Sequence, residues 1–323
     1  MRFLSGIKTI NRIWERLASG VLVPQGHVSE RSRSASDTYL ALKQKALDLE
    51  ALYADAGVRI PAGGDLARLI ESTKQLSDAW LQGRADKLPD QTLWDSAHLT
   101  RVADAALPLR GTPQEWAYLH KLTNGSLSLL KRESSEAKNF LWELELLHVL
   151  RAHGVQAKLQ EPPDIVATFD AAEIGIACKK LYSTNNVEKV LSNGVAQIEG
   201  TYQFGIVAIN LDDLTPEDSL FVANTERQMA DQVNEINRSF LKENDRHFRK
   251  YLASGRLLSA LVSTNVLADL RRESVRLNNA RQSTVWMIPG LPAEKATVFE
   301  KFYATIMDRP AFRRHPGCHN SWQ

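Results

Sequence analysis

The sequence predicts an α/β protein in which a mixed β-sheet flanked by helices follows an all-helical N-terminal domain. Residues 1–130 are rich in Leu, Ala, Lys, Glu and Gln, with apolar residues at three- and four-residue steps, a pattern typical of helices. After residue 130, helical stretches alternate with short apolar runs typical of strands. A hydrophobic content of 43% over 323 residues is enough to fill one or two cores. We therefore divide the chain into a helical N-terminal domain at 1–130, for targeting or oligomerisation, and a second domain at 131–323 with a basic C-terminal extension.

The helices of the first third are predicted from the spacing of their apolar residues. Tyr39, Leu42, Ala46, Leu49 and Tyr53 form one such stripe, because residues three and four apart lie on the same face of a helix. The same pattern places helices at 4–18, 34–56, 65–83, 92–107 and 113–123.

The second part of the chain is predicted to alternate between helices and strands. The apolar run 204–211 is hydrophobic enough for a central strand. Helices are predicted at 135–153, 186–200 and 225–253. Strands are predicted at 155–160, 165–170, 173–178, 204–211, 257–262 and 284–288. This order implies one sheet with helices packed against it.

Several classes of protein are excluded or disfavoured by the sequence. No run of apolar residues is long enough for a membrane span, and Lys8, Arg12 and Glu15 interrupt the segment where a secretory signal would be. Cys178 and Cys318 are too few for a disulfide framework. The sequence contains no phosphate-binding loop, dinucleotide-binding loop, zinc-ribbon, zincin or serine-hydrolase motif. We therefore expect a cytoplasmic protein that makes no contact with a membrane.

The charges of the chain are distributed unevenly. Net charge is only +2, but residues 131–239 have 10 basic and 17 acidic side chains, whereas residues 240–323 have 14 basic and 7 acidic ones. A metal-dependent enzyme acting on a polyanion has a use for both regions, because carboxylates bind the cation and basic side chains bind phosphates. Two oppositely charged surfaces that attract one another are the alternative explanation.

One set of residues carries a recognisable chemistry. Glu143 lies on the predicted helix, Pro163-Asp164 precedes the second strand, and Ala177-Cys178-Lys179 ends the third. Glu143 precedes Gly154 by 11 residues, and Asp164 precedes position 177 by 13. This arrangement resembles the PD-(D/E)XK nuclease superfamily, whose fold is restriction-endonuclease-like, and both intervals agree with its archaeal Holliday-junction resolvases. The resemblance covers residues 135–211.

The resemblance implies a Mg²⁺-dependent nuclease, with Mn²⁺ as a substitute metal, that acts on nucleic acid, most plausibly DNA. It implies that Asp164 and Glu143 bind the metal through their carboxylates, with the main-chain carbonyl of Cys178 as a third ligand. Lys179 would orient or deprotonate the attacking water and neutralise developing charge. Gln197 on the following helix corresponds to a Gln that recurs near the active site in several of these families.

Position 177 departs from the family pattern, because the family has an acid where this chain has Ala177. Glu173, Asp170 and Glu188 are the substitutes that the sequence offers, and Gln197 is preferred to all three. Glu145 is the alternative to Glu143, and Lys180 the alternative to Lys179.

The sequence is consistent with three functional hypotheses. The first is a metal-dependent nuclease that uses its N-terminal domain to form a homodimer or bind a protein partner. The second is a catalytically eroded descendant of the fold that binds nucleic acid or protein, and Ala177 favours it. The retained Asp164, Lys179 and Glu143 favour the first, because a degenerate site has no reason to keep a buried lysine that costs desolvation energy. The third reading is a scaffold without any site.

Overall fold

The structure is a computed structural model that describes residues 39–169, 171–272 and 277–307, together with three short strands nearer the N-terminus. These strands are β1 (Trp14–Arg16), β2 (Leu22–Pro24) and β3 (Ser29–Arg31). The chain is an α/β protein with one large mixed sheet. Within the described residues, no helix has the length and apolar character needed to cross a membrane.

Helices dominate the described chain up to residue 130. They are α1 (Tyr39–Asp55), α2 (Asp65–Leu81) and α3 (Asp90–Ala106), with shorter 3₁₀ segments at Ala85–Lys87, Leu107–Gly111 and Pro113–Thr123.

The second part of the chain begins with α4 (Glu136–Ala152). Ser135 caps its first turn by accepting a hydrogen bond from the Lys138 backbone N–H, and Gly154 follows its last turn with a φ of 80°. The remaining elements are β4 (Gln156–Gln160), β5 (Asp164–Phe169), β6 (Ala172–Lys180), α5 (Val187–Ile198), β7 (Phe204–Asn210), β8 (Phe221–Ala223), α6 (Glu226–Ala253), β9 (Ser259–Leu270), β10 (Leu277–Trp286) and α7 (Ala293–Met307).

The large sheet has the strand order β3-β10-β9-β7-β6-β5-β4, and β8 pairs with β9. Strands β6, β7 and β9 run parallel to one another, while β4–β5, β5–β6, β9–β10 and β10–β3 are antiparallel pairs. All seven residues of β7 are buried. The apolar run at 204–211 predicts such a central strand. A strand that is buried on both faces needs helices on both sides of the sheet.

Two apolar cores lie on opposite faces of this sheet. The larger one contains residues of α1, α3, α4 and α7 together with one face of β5, β6 and β7. The second lies between the other face of β6 and β7 and helices α5 and α6. The larger core includes residues on both sides of position 130, from Leu49 and Leu99 to Ile176. The domain boundary at this position stays a prediction.

The mixed sheet flanked by helices is confirmed, and most elements after residue 130 lie where the sequence places them. The expectation of an all-helical first third is wrong at three short segments. Trp14–Arg16 forms a strand with Leu22–Pro24, and Ser29–Arg31 joins the large sheet beside β10. Hydrogen bonding to the distant strand β10 decides β3, and a local apolar pattern does not encode it; β1 and β2 pair with each other over only three residues, too few for such a pattern to show.

Three smaller differences between prediction and structure concern the type, the bounds and the number of elements. The segment 113–123 is a 3₁₀ helix. Strand β9 extends to Leu270 and β10 begins at Leu277, because the two strands pair over ten residues that include many polar ones. Helix α7 was not predicted, nor was the three-residue strand β8.

A buried ion network joins the helices to the sheet. Arg101 of α3 donates to both carboxylate oxygens of Glu145 on α4, and its Nη2 also lies 2.6 Å from Asp212 Oδ2, beyond the end of β7. The members of this buried ion network are Arg101, Lys138, Glu145, Lys180, Asp212, Asp213 and Arg281. Burial alone would raise the pKa of Glu145, but the charges of Arg101 and Arg281 hold it below its usual value. Glu145 is therefore ionised and paired.

We expect Arg101→Met to lower the free energy of unfolding by about 3–5 kcal/mol, because it leaves two buried carboxylates without their shared partner. Chemical denaturation at pH 7 measures the change. Arg110→Met is the matched control, because Arg110 is exposed and donates only to the Asp48 carbonyl at 2.8 Å. The control should cost less than about 1 kcal/mol. Equal stability of the two variants would show that the network does not hold the helices to the sheet.

Candidate active site

Asp164 lies at the start of β5, opposite the end of β6. Its carboxylate Oδ2 accepts a hydrogen bond from the Cys178 backbone N–H at 2.7 Å and another from Lys179 Nζ at 3.1 Å. Its φ of 148° is rare for a residue with a side chain, and such outliers are concentrated at functional sites. Only 7% of Asp164 is exposed. Burial raises the pKa of Asp164, although Lys179 opposes that rise.

Lys179 extends from β6 towards Asp164. Its Nζ lies 3.0 Å from the Cys178 carbonyl oxygen as well as 3.1 Å from Asp164 Oδ2. The side chain is 18% exposed, so the ammonium group is held by two protein oxygens at the edge of solvent. The structure therefore brings together the two residues that the sequence places on neighbouring strands.

Glu143 is a buried residue of α4, and the charges of Asp164 and Lys179 both act on its carboxyl group. Among the described residues, none makes a hydrogen bond or an ion pair with its carboxyl group, although Glu143 is only 9% exposed. Burial, followed by the negative charge of Asp164, raises the pKa of Glu143 to about 8. The charge of Lys179 also acts on it in the opposite direction. A buried acid with no partner next to a second acid is characteristic of functional sites rather than of structural ones.

Two further charged residues lie at this site and were missed from the sequence. Lys121, in the 3₁₀ segment before α4, forms an ion pair with Glu161. The charges of both residues act on Glu143, Lys121 lowering its pKa and Glu161 raising it. Glu161 had a signal, since it lies three residues before Asp164 in a Glu-Pro-Pro-Asp sequence. Lys121 had none, because it lies outside the region that resembles a nuclease.

Position 177 has a structural reason to be alanine. Ala177 is completely buried in the second core, under α5. The helix passes so closely at Gly194 that a Cβ added there would lie 3.6 Å from the Ala177 Cβ and 3.2 Å from both methyl groups of Val207. An acid at position 177 would have to enter this apolar contact between helix and sheet.

Cys178 and Gln197 have different environments. The Cys178 side chain is buried in the larger core, where burial raises the pKa of its thiol, while its carbonyl oxygen faces Lys179. Gln197 lies on α5, and its Oε1 atom is buried without a hydrogen-bond partner in the described part of the chain. No hydrogen bond links Gln197 to Asp164 or Lys179 within that part. A role for Gln197 stays a prediction.

The alternatives for these positions are engaged elsewhere or exposed. Glu145 and Lys180 belong to the buried ion network. Glu173 is exposed at the start of β6. Glu188 is exposed and lies 3.8 Å from Lys250 Nζ on α6. The remaining substitute, Asp170, lies outside the described residues.

The donor set was tested against a divalent cation. In the described ranges, no three side chains of the Asp, Glu, His or Cys type lie close enough to one another to hold a metal ion. Two carboxyl groups and one carbonyl are present, from Glu143, Asp164 and Cys178, and all are the hard oxygen donors that Mg²⁺ prefers. Asp164 Oδ1 accepts no hydrogen bond from the described residues, and neither does Glu143. Hard oxygen donors of this kind would suit one cation whose other ligands are water.

The unpartnered carboxyl group of Glu143 predicts a pH-dependent stability. Because the folded state favours the protonated form, the contribution of Glu143 to stability is complete below pH 4.5 and is lost as pH rises to about 8. Glu143→Gln removes this dependence, so with a chelator present the variant should be more stable than wild type at pH 9 by on the order of 4 kcal/mol. At pH 4.5 the two should be nearly equal. Denaturation across this pH range measures the difference.

Glu136→Gln is the control for this experiment, because Glu136 is an exposed acid in the first turn of the same helix. Its pH dependence should follow that of wild type. If Glu143→Gln also follows wild type at every pH, the carboxyl group is solvated and the site is not closed as described.

The chain was compared with protein-family models, with curated proteins and with solved structures, and no match was found in any of the three. The likeness to nucleases therefore stays a resemblance carried by residues 135–211.

Proposed function

We propose that this chain is a metal-dependent nuclease that hydrolyses phosphodiester bonds in DNA. One observation carries the proposal: within the described residues the buried carboxyl group of Glu143 has no partner, and the charges of the Asp164–Lys179 ion pair act on it. Leaving a buried carboxyl group unpartnered costs stability, and binding a cation there recovers that loss.

Each residue has a distinct chemical task in this proposal. Glu143, Asp164 and the Cys178 carbonyl would hold Mg²⁺, or Mn²⁺ in its place. The bound metal would lower the pKa of a water molecule and stabilise negative charge on the phosphoryl oxygens. Lys179, held 3.1 Å from Asp164 Oδ2, orients the attacking water and offsets the charge that develops on the phosphate.

The fold and the charge distribution support the same proposal. The element order α4-β4-β5-β6-α5-β7 is the one implied by the resemblance to restriction-endonuclease-like proteins. On the solvent side of α6, Lys242, Arg246, Arg249 and Lys250 are exposed at three- and four-residue steps, which suits contact with a phosphate backbone.

Partners and location follow from this proposal as further expectations. We place the enzyme in the cytoplasm, with DNA as its partner. The helical first third remains the proposed region for contact with a second copy or another protein. Trp80 and Leu81 at the end of α2 are 53% and 60% exposed, which is unusual for such large apolar side chains.

A second candidate function is a catalytically eroded fold that binds nucleic acid without cutting it. The close contact between Ala177 and α5 at Gly194 favours this candidate, because it removes one acid that the nuclease pattern has and leaves no room for it. The two candidates differ in whether wild type holds a metal.

We expect purified protein to cleave plasmid DNA with Mg²⁺ or Mn²⁺ and to stop when a chelator is added. Asp164→Asn should lower the cleavage rate by at least about 100-fold, because it removes a metal-binding charge while its amide oxygen can still accept the Cys178 N–H. Glu173→Gln is the control, because Glu173 is an exposed acid on the neighbouring strand and its loss should change nothing. Cleavage that survives both Asp164→Asn and the chelator would belong to another site or to a contaminant.

Calorimetric titration with Mn²⁺ distinguishes the two candidate functions. An active site predicts heat of binding in wild type and none in Asp164→Asn. An eroded fold predicts no heat in either protein.

Ala177→Glu is not expected to restore a ligand, because it buries a carboxylate in the second core. It should destabilise the protein by about 3 kcal/mol or more. An unchanged unfolding temperature in this variant would mean that the interior at position 177 is more open than the structure shows.

A further inference from the structure

Lys121 is a cation of the candidate active site that comes from outside the nuclease-like region. Its Nζ is 5.2 Å from the centroid of the Tyr118 ring and 5.4 Å from that of Phe140. Its side chain is 13% exposed, so the aromatic rings and the start of α4 confine it. An ammonium group held over two aromatic faces keeps its position even when its ion-pair partner leaves.

The partner of Lys121 is free to leave. The Glu161 side chain is 51% exposed, so it reaches water by a rotation about its own bonds. Its negative charge also raises the pKa of Glu143 and of Asp164. Rotation of the Glu161 carboxylate out of the site therefore relieves electrostatic repulsion when these acids are ionised. An ion pair with one solvent-exposed partner contributes little to stability, so its loss lowers the free energy of unfolding only slightly.

The other cations near the site are already engaged. Lys179 is held by Asp164 and by the Cys178 carbonyl. Lys180 and Lys138 are buried and both bind Asp213. Of the four, Lys121 has the partner that can be displaced most easily.

We propose that Lys121 binds a phosphate group of the DNA substrate, and that Glu161 occupies Lys121 until that phosphate replaces it. This inference rests on the proposed function, since it assumes a nucleic-acid substrate at the site. It assigns a binding role to a residue of the helical first third, which the resemblance does not reach.

The test measures binding of a fluorescein-labelled 20-base-pair DNA duplex by anisotropy, with Ca²⁺ in place of Mg²⁺, across a series of salt concentrations. Lys121→Met keeps the apolar stem but removes the charge. It should weaken binding about tenfold and reduce the slope of log K against log salt by about 0.9, the value for one lost phosphate contact. Lys121→Arg should retain both affinity and slope. Lys87→Met removes an equal charge from an exposed site between α2 and α3 and should change neither.

Glu161→Gln tests the displacement step. If Glu161 competes with phosphate for Lys121, this change should tighten binding several-fold in wild type and much less in the Lys121→Met background. If Glu161 merely repels DNA, the gain is the same in both backgrounds, and the displacement is refuted. Thermal unfolding of each variant shows whether a loss of binding reflects a loss of folding.

Cleavage assays separate this inference from the proposed function. Cleavage by Lys121→Met should show a raised KM with kcat changed less. If wild type cuts DNA and Lys121→Met binds and cuts like Lys87→Met, the inference fails and the nuclease proposal stands. If wild type binds without cutting and Lys121→Met binds more weakly, the role of Lys121 holds and the hydrolysis proposal fails. If wild type neither binds nor cuts, both are overturned.

Discussion

The salt bridges of Arg101 determine where helix α4 lies, and most of the candidate site depends on that position. One guanidinium group binds Glu145 of α4 and Asp212 beyond β7, at side-chain exposures of 2–4%. Because both acids are buried, neither can leave the pairing without a large desolvation cost. Helix α4 is therefore fixed between the helical first third and the sheet, and Glu143 on the same helix is fixed with it.

The two buried acids of α4 show how partners separate a structural role from a functional one. Glu145 accepts hydrogen bonds from Arg101 and lies 2.9 Å from Arg281 Nη2, so its charge is neutralised within the protein. Glu143 lies two residues earlier with no such partner, and burial raises its pKa to about 8. The resemblance preferred Glu143 to Glu145, but the apolar run that holds both residues does not show why they differ, because their partners come from elements distant in the chain.

The parts of the fold that follow local rules could be predicted from the sequence. Helix α4 has its cap at Ser135 and its end near Gly154, and β7 is an unbroken apolar run, so both were recognised. Asp164 and Lys179 were singled out by the resemblance to the nuclease pattern, and the pairing of β5 with β6 brings them together. Strand β3 and the contacts of Lys121 depend on residues far away in sequence, and no local pattern records such contacts; β1 and β2 are each only three residues long.

Position 177 shows two constraints competing for one residue. A nuclease of the family pattern places an acid here, whereas this chain uses the position to let α5 approach the sheet at Gly194. The small Ala177 side chain and the missing side chain at Gly194 together allow that approach, so each explains the other. Because position 177 has no carboxyl group, Glu143 and Asp164 are the buried carboxyl groups of the candidate site. The proposed site would therefore hold a cation with fewer protein ligands and more water, and the charges of Lys179 and Lys121 would contribute a larger share of the binding of a phosphate.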